Sequence, residues 1–287
     1  MVVFGEVLAL NRFCDLHVHS NRSDGTRSPA ALIAEAEAHG LAAIALTDHN
    51  TLAGLPEFLA AAEGSTVQAV PGIELSADYN GTELHILGLF IRPEHYDAVE
   101  TRNIAYLRRK EESNLALTEA LNKAGYPVDY EAIKLRTKGV PNRAHFAMEL
   151  IEKGYLSSIR EGCLTILSPN NGIYNPPLRE TAFETVAFLK SIGAVSVLAH
   201  PFLNLKEDDL RIFLEAAKPY GLDGMEVLYS TFDETLTAKA IAIADEFGLK
   251  YSGGSDFHGD NKPDISMGVG RGNLAIPLAF LTQLRSQ

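Results

Sequence analysis

The sequence predicts an α/β fold built from parallel strand–helix units. Seven short apolar runs supply candidate strands, and helix-like segments separate most of them. The chain has 287 residues, of which 46% are hydrophobic and 22% are charged, and this suits one α/β barrel or a barrel with a modest insertion. In chain order, the candidate strands are FCDLHVHS, LAAIALTDHN, VQAVPGIELS, ELHILGLFI, AVSVLAHP, DGMEVL and KYSGGSDFH.

Signals for the start or end of a helix occur between the candidate strands. Ser28 as the N-cap and Pro29 at the first helical position predict a helix over residues 29–39. A glycine follows this helix and three later helix-like segments, at the place where a left-handed residue commonly ends a helix. These glycines are Gly40, Gly193, Gly221 and Gly248.

One stretch breaks the alternation of strands and helices. Residues 97–170 have a helical pattern with charged faces and contain no convincing strand. This stretch therefore predicts a helical insertion. The barrel domain is then discontinuous, with residues 11–96 before the insertion and residues 171–287 after it. We expect the insertion to contribute to substrate binding.

Composition and cysteine content indicate a cytoplasmic protein. Cys14 and Cys163 are far apart and in no paired motif, so we expect two packing residues in a reducing compartment rather than a disulfide. No run approaches the ~20 apolar residues that span a bilayer. The start, MVVFGEVLALNRF, lacks the basic segment of a signal peptide.

The placement of the histidines is the main functional signal. His17 and His19 form an H-x-H pair near the end of a strand, where alternate residues face the same side and can reach one ion. The other polar groups also follow or begin candidate strands: Asp24, Asp48 and His49, Glu74, His85, His200, and Asp256 with His258.

The ends of parallel strands form one face of a barrel, where active sites of this architecture lie. Any one of these fragments is weak evidence, because an H-x-H pair on a strand is more often hydrogen-bonded or solvent-facing than metal-binding. Five polar fragments at the ends of otherwise apolar strands are hard to explain as accident. Glu74 is the natural bridging ligand, and mixed imidazole and carboxylate donors suit Zn, Mn or Fe. His39 and His95 stand outside any motif, so we expect surface positions for both.

The motifs as a set resemble the PHP (polymerase and histidinol phosphatase) family. They are DLHVHSNRSDG, ALTDHN, PGIELS, LHILGL, LAHP and GSDFHG, in that order and spacing. The SDG ending of the first motif and an R-x-H in the insertion are similar to a subgroup that includes nucleoside 3′,5′-bisphosphate phosphatases and a 5′→3′ exoribonuclease. The resemblance implies a distorted, TIM-like (β/α)7 barrel with a trinuclear metal site.

The resemblance also implies which side chains hold each ion. Asp24 stands where histidinol phosphatases commonly have a histidine, which makes the third site a departure from the wider family. Asp48 is similar to a residue that orients a neighbouring ligand. The implied ligands are His17, His19, Glu74 and Asp256 for the first ion, Glu74, His85 and His200 for the second, and Asp24, His49 and His258 for the third.

Two to three divalent ions in such a site imply hydrolysis by metal-activated water that attacks phosphorus in line. No covalent intermediate is needed, and the catalytic residues would be Glu74, Asp256 and His200. The proton for the leaving group would come from a metal-bound water or a site histidine, and the sequence leaves both open. With a formal net charge of −12, the chain must supply positive charge for an anionic substrate locally, and bound metal ions do so.

The insertion supplies candidates for substrate recognition. Arg143 and His145 stand two apart at a helix start, and in the similar subgroup this R-x-H pair contacts a substrate phosphate. The alternative is a surface arginine with a histidine in the capping region. Tyr174 stands where the subgroup has a tyrosine, although the preceding NNGI lacks the lysine expected nearby.

The sequence leaves three functions open, and a fourth is disfavoured by the SDG ending and the R-x-H of the insertion. The first is a phosphatase of a small nucleotide such as a 3′,5′-bisphosphate. The second is a 5′→3′ exonuclease on short single-stranded RNA that uses the same site. The third is a metal-binding module without catalysis, and the fourth is a histidinol phosphatase. The expected partner is therefore a small phosphorylated substrate or a short RNA, and not a membrane.

Overall fold

The computed structural model describes residues 12–137 and 140–286 and contains one seven-stranded sheet whose strands follow one another in chain order. Each run predicted as a strand forms one. Most of the segment considered as a signal peptide lies outside the described residues. The strands are β1 (Cys14–Val18), β2 (Ala43–Leu46), β3 (Gln68–Tyr79), β4 (Thr82–Leu89), β5 (Val195–Leu198), β6 (Gly224–Tyr229) and β7 (Lys250–Gly254).

The strands are not all parallel, which corrects the expectation from the sequence. β1, β2 and β3 are parallel to one another, as are β5, β6 and β7, but β4 is antiparallel to both β3 and β5. The cause is a tight turn between β3 and β4. Asn80 and Gly81 have φ angles of 51° and 81°, and an Asn-Gly pair with two positive φ angles is typical of a type I′ hairpin.

The sheet closes into a nearly complete barrel through contacts beyond the ends of β1 and β7. Val18 and Phe257 form a parallel bridge, and the backbone N–H of Asp256 donates to the carbonyl of His17 at 2.9 Å. The buried carboxylate of Asp15 accepts hydrogen bonds from the backbone N–H of Ser255 at 2.9 Å and from its hydroxyl at 2.5 Å. The closure of the barrel therefore holds the motif that contains His17 beside the motif that contains Asp256.

Ten α-helices accompany the strands in the described part of the chain. The first begins at Pro29, and the hydroxyl of its N-cap Ser28 accepts from the N–H of Ala31, as predicted. It ends at Ala38, one residue before the expected end. The helices are α1 (Pro29–Ala38), α2 (Leu55–Ala62), α3 (Tyr96–Lys123), α4 (Tyr130–Arg136), α5 (Arg143–Glu152), α6 (Ile159–Leu164), α7 (Ala182–Ser191), α8 (Glu207–Ala217), α9 (Glu234–Phe247) and α10 (Leu278–Arg285).

The chain divides into two compact units. The barrel unit comprises Met1–Val99 and Glu180–Gln287, and the helical unit comprises Glu100–Arg179. The helical unit has helices but no strand among its described residues, and its own apolar core includes Leu121, Phe146 and Leu150. It begins three residues after and ends nine residues after the expected 97–170, and a role in substrate binding stays a prediction.

Two apolar layers stabilise the barrel unit. One packs the strands against α1, α2, α7, α8 and α9, and the other packs strand residues against α10. Cys14 is buried in the second layer, Cys163 is partly buried, and both are free thiols, as expected of packing residues. None of the helices in the described ranges is long and apolar enough to cross a membrane.

The close approach of β7 to β1 gives a testable prediction. A Cβ at Gly254 would lie 2.1 Å from the Cβ of His17, so Gly254→Ala must push the two strands apart. We expect a loss of about 1–3 kcal/mol in the free energy of unfolding, as for other overpacked cores, measured by urea denaturation. Ser252→Ala in the same strand is the control, because the buried Ser252 hydroxyl has no hydrogen-bond partner in the described part of the chain. Equal stability of the two variants would contradict the close packing.

Candidate metal centre

The barrel unit brings all nine predicted metal ligands to one place. Glu74 lies in the middle of β3 and not at its end, because β3 continues to Tyr79 as one arm of the hairpin. His85 lies near the start of β4, and since β4 is antiparallel this start reaches the same end of the barrel as the ends of its parallel neighbours. His17 lies in β1, His19 and Asp24 follow it, His49 follows β2, His200 follows β5, and Asp256 and His258 follow β7.

The carboxylate of Glu74 lies at the centre of the cluster and is fully buried. Its Oε1 lies 2.8 Å from His85 Nδ1 and 3.1 Å from His200 Nε2. Its Oε2 lies 2.9 Å from Nδ1 of His49, 3.2 Å from Nε2 of His19 and 3.3 Å from Nε2 of His17. The two oxygens therefore face different histidines, as a bridging ligand requires.

Asp256 forms a second anionic point of the cluster. Its Oδ1 lies 3.2 Å from His19 Nε2 and 3.3 Å from His258 Nδ1. Its Oδ2 accepts hydrogen bonds from the Tyr229 hydroxyl and from the Lys262 ammonium, both at 2.7 Å. One oxygen is thus directed at imidazoles, while the other is fixed by the protein.

Asp24 completes an outer part of the cluster. Its carboxylate lies 3.2 Å from Nε2 of His258, 3.8 Å from Nε2 of His49 and 4.0 Å from Nδ1 of His19. Asp48 accepts hydrogen bonds from the Ser20 hydroxyl at 2.6 Å and the Ser23 hydroxyl at 2.7 Å. These contacts fix the loop between His19 and Asp24, two of the predicted ligands.

Within residues 12–137 and 140–286, four groups of side chains have donor atoms close enough together to hold an ion. The outer group contains the three ligands expected for the third ion and also His19. No single group contains Glu74, His85 and His200 together, although both histidines face the same Glu74 oxygen. The groups are His19, Asp24, His49 and His258; His17, His19 and Asp256; His17, Glu74 and His200; and His49, Glu74 and His85.

The cluster contains buried polar atoms that the protein does not satisfy. His19 Nδ1, Asp24 Oδ1 and Glu74 Oε2 are buried without a hydrogen-bond partner of good geometry among the described residues. Nε2 of His17 lies 3.0 Å from Nε2 of His19, so two imidazole nitrogens face each other. Buried polar groups without partners are costly, and divalent cations held by the four groups would satisfy these atoms. The residues present therefore fit metal ions of the Zn, Mn or Fe type.

The pKa shifts of His19 and Glu74 suit ligands. Burial, with the nearby His258 and His49, lowers the pKa of His19, which favours the neutral imidazole that binds metals. Burial opposes ionisation of Glu74, but His49, His85 and His17 outweigh it and hold the pKa of this carboxyl well below its ordinary value. Glu74 is therefore a carboxylate with both oxygens available.

Four contacts of the site involve residues that the sequence did not single out. Glu226 of β6 accepts from Nδ1 of His17, Tyr229 and Lys262 hold Asp256, and Asp15 holds the backbone before Asp256. A signal exists for Glu226 and Asp15, because each is a carboxylate within a run predicted as a strand. The two histidines expected at the surface lie outside the four groups: His39 is exposed and His95 is half-buried.

The candidate substrate residues lie in the helical unit. Arg143 is the first residue of α5, and its guanidinium lies 5.5 Å from the ring centre of Tyr174. His145 takes part in a capping box, in which its Nδ1 accepts from the backbone N–H of Asn142 at 3.1 Å. The structure thus brings Arg143 and Tyr174 together and assigns His145 a role in the helix cap.

Comparison with known proteins identifies similar sequences along most of the chain. The PHP domain profile matches residues 15–171. A 5′-3′ exoribonuclease of Haemophilus influenzae is 30% identical over 249 residues, which cover 85% of this chain and 89% of the relative. A phosphoribosyl 1,2-cyclic phosphate 1,2-diphosphodiesterase of Eggerthella lenta is 33% identical over 85% of this chain and 94% of the relative. A 3′,5′-nucleoside bisphosphate phosphatase of Chromobacterium violaceum is 30% identical over 85% of this chain and 86% of the relative.

A solved structure has the same fold. A protein from Bifidobacterium adolescentis that is described as a metal-dependent phosphoesterase superposes with a TM-score of 0.80. The two sequences are 25% identical, and the match covers 95% of each chain.

The position of Glu74 predicts that one substitution releases two ions. Glu74→Ala removes both oxygens that face the histidines, so we expect two ions to be lost together and activity to disappear. Metal content of the dialysed protein, measured by mass spectrometry, tests this. Full occupancy in the variant would contradict the bridging role.

His258→Ala is the matched control for this experiment. His258 belongs only to the outer group, so its loss should deplete about one equivalent and leave the other ions bound. An unchanged metal content and an unchanged rate would show that His258 is not a ligand.

Proposed function

Because the chain belongs to the PHP domain family, we propose that it hydrolyses a phosphate ester of a small nucleotide, with a 3′,5′-bisphosphonucleotide as the best candidate. The family and the activities named for its relatives make the chain a metal-dependent phosphoesterase. We propose the substrate, the number and identity of the ions, and the residues that hold them.

The proposal rests on the buried Glu74 carboxylate, each of whose two oxygens faces histidines. We propose two to three divalent ions of Mn, Zn or Fe, held by the nine side chains of the cluster. Such ions, when bound, lower the pKa of water and neutralise phosphate oxygens. Glu74, Asp256 and His200 are the proposed catalytic residues.

The contribution of the protein is to hold these groups in fixed positions. Tyr229 and Lys262 hold one oxygen of Asp256, so that the other stays directed at His19 and His258. Glu74 is enclosed within 3.3 Å of imidazole nitrogens and cannot turn without losing several contacts. Groups that are fixed before the substrate arrives need no reorganisation during the reaction.

The substrate class is supported by what the relatives share. Their names describe an exoribonuclease, a diphosphodiesterase of a phosphoribosyl cyclic phosphate and a nucleoside bisphosphate phosphatase. RNA, a phosphoribosyl compound and a nucleoside bisphosphate all carry phosphate on a ribose. We infer a phosphorylated ribose unit as the common substrate element, and we propose that Arg143, His145 and Tyr174 contact it.

The second candidate is a 5′→3′ exonuclease on short single-stranded RNA. It is favoured by the similarity to the exoribonuclease, which extends over 85% of this chain. The net charge of −12 disfavours broad electrostatic binding along long nucleic acid but is compatible with binding one end of a short strand. A panel of adenosine 3′,5′-bisphosphate, 5′-phosphorylated short RNA and a ribose cyclic phosphate separates the candidates, and the highest kcat/KM identifies the substrate.

We also propose that the protein acts in the cytoplasm. Its two cysteines are free thiols, as is usual for proteins of a reducing compartment.

Arg143 is the residue that separates a specific nucleotide enzyme from a general phosphatase. A charge-assisted contact with a substrate phosphate is worth roughly 1.5–3 kcal/mol, so Arg143→Ala should lower kcat/KM about 10–100-fold on the bisphosphate. The effect should nearly vanish on p-nitrophenyl phosphate, which has no second phosphate. Steady-state kinetics on both substrates make the comparison.

Arg108→Ala is the control, because Arg108 is an exposed arginine of α3 in the same helical unit. It should leave both rates unchanged. Equal losses on both substrates for Arg143→Ala would place Arg143 at the scissile phosphate, and no loss on either would remove it from the site.

A further inference from the structure

Glu226 is a buried carboxylate that contacts two of the proposed ligands at once. It lies in β6, between the apolar residues Met225 and Val227, and is fully buried. Its Oε1 lies 3.0 Å from Nδ1 of His17, and its Oε2 accepts from the backbone N–H of His200 at 2.6 Å. Both oxygens are therefore engaged, each with a different ligand of the cluster.

The contact with His17 determines which ring nitrogen faces the site. A carboxylate can only accept hydrogen bonds, so the hydrogen must be on Nδ1 of His17. In the neutral ring, Nε2 then keeps its lone pair, and this nitrogen lies 3.3 Å from Glu74 Oε2. A carboxylate behind a metal-binding histidine commonly fixes the tautomer in this way.

The contact with His200 stabilises an unusual backbone conformation. His200 has a φ angle of 28°, which is positive and therefore costly for a residue with a Cβ. The hydrogen bond from its N–H to Glu226 holds the backbone in this conformation. The same conformation places Nε2 of His200 3.1 Å from Oε1 of Glu74.

We propose that Glu226 is a positioning residue that sets the tautomer of His17 and the backbone of His200 with a single carboxylate. This inference rests on the proposed function, because it takes both histidines as metal ligands. Glu226 does not reach the reacting atoms itself. It couples a ligand of the first proposed ion to a ligand of the second.

Glutamine at this position is a sharp test, because it has nearly the same shape and only one acceptor oxygen. If the amide oxygen accepts from His200, the amide nitrogen faces Nδ1 of His17 and favours the wrong tautomer. If the amide turns over, the His200 N–H loses its acceptor. Either orientation breaks one of the two contacts.

The experiment measures zinc affinity and the histidine hydrogens in the full chain. Glu226→Gln should bind zinc about 10–100-fold more weakly than the wild type, measured by competition with a chelator. Nitrogen-15 NMR of histidine-labelled wild type should show a hydrogen on Nδ1 of His17, both metal-free and with zinc bound. The signal is assigned by its loss in His17→Gln.

Glu149→Gln is the matched control, because Glu149 is also a buried glutamate but contacts Arg136 and Lys153 of the helical unit. It should keep wild-type zinc affinity. Wild-type affinity in Glu226→Gln, or a His17 Nδ1 without hydrogen in the wild type, would overturn the inference. The NMR measurement on the wild type tests the inference even if Glu226→Gln does not fold. Failure of the wild type to bind any divalent ion would contradict the proposed function, while the hydrogen on Nδ1 would still test the role of Glu226.

Discussion

The structure of the site depends on one buried carboxylate. Glu74 lies within 3.3 Å of ring nitrogens from five histidines, which reach it from four strands or the segments that follow them. A buried charge is costly unless it is compensated on every side, so the barrel must hold these side chains in register. The close packing of β7 on β1 and the reversal of β4 both serve this requirement, because they bring His17, Asp256 and His85 to the same end of the barrel.

Much of the fold could be predicted because its signals are local. Apolar runs predicted all seven strands, and Ser28 and Pro29 predicted the start of α1. The direction of β4 was predicted wrongly. We extended the alternation of strands and helices to β3 and β4, which follow each other without a helix between them. The Asn80-Gly81 pair carried the information, since Asn-Gly between two apolar runs is a strong signal of a hairpin, and both residues take positive φ angles. Closure of the barrel through Asp15 and Ser255 could not be predicted, because residues 240 positions apart share no local signal.

The side chains of the cluster were easier to predict than the residues that contact them. The proposed ligands stand in short polar motifs, most of them at strand ends, and the nine predicted side chains lie together. Glu226, Tyr229 and Lys262 belong to none of the sequence motifs. Their role follows from the side chains that they contact in the fold. In the helical unit, the sequence anticipated Arg143 and Tyr174, which lie side by side, and it left open the capping role that His145 takes in the structure.

Anomalous diffraction from crystals grown with Zn²⁺ tests the central claim most directly. If Glu74 bridges two ions, two peaks should lie beside its carboxylate, one about 2.0–2.2 Å from each oxygen. The peak at Oε1 should lie near His85 or His200, and the peak at Oε2 near His17, His19 or His49. A single peak shared by both oxygens, or peaks that avoid Glu74 altogether, would contradict the account.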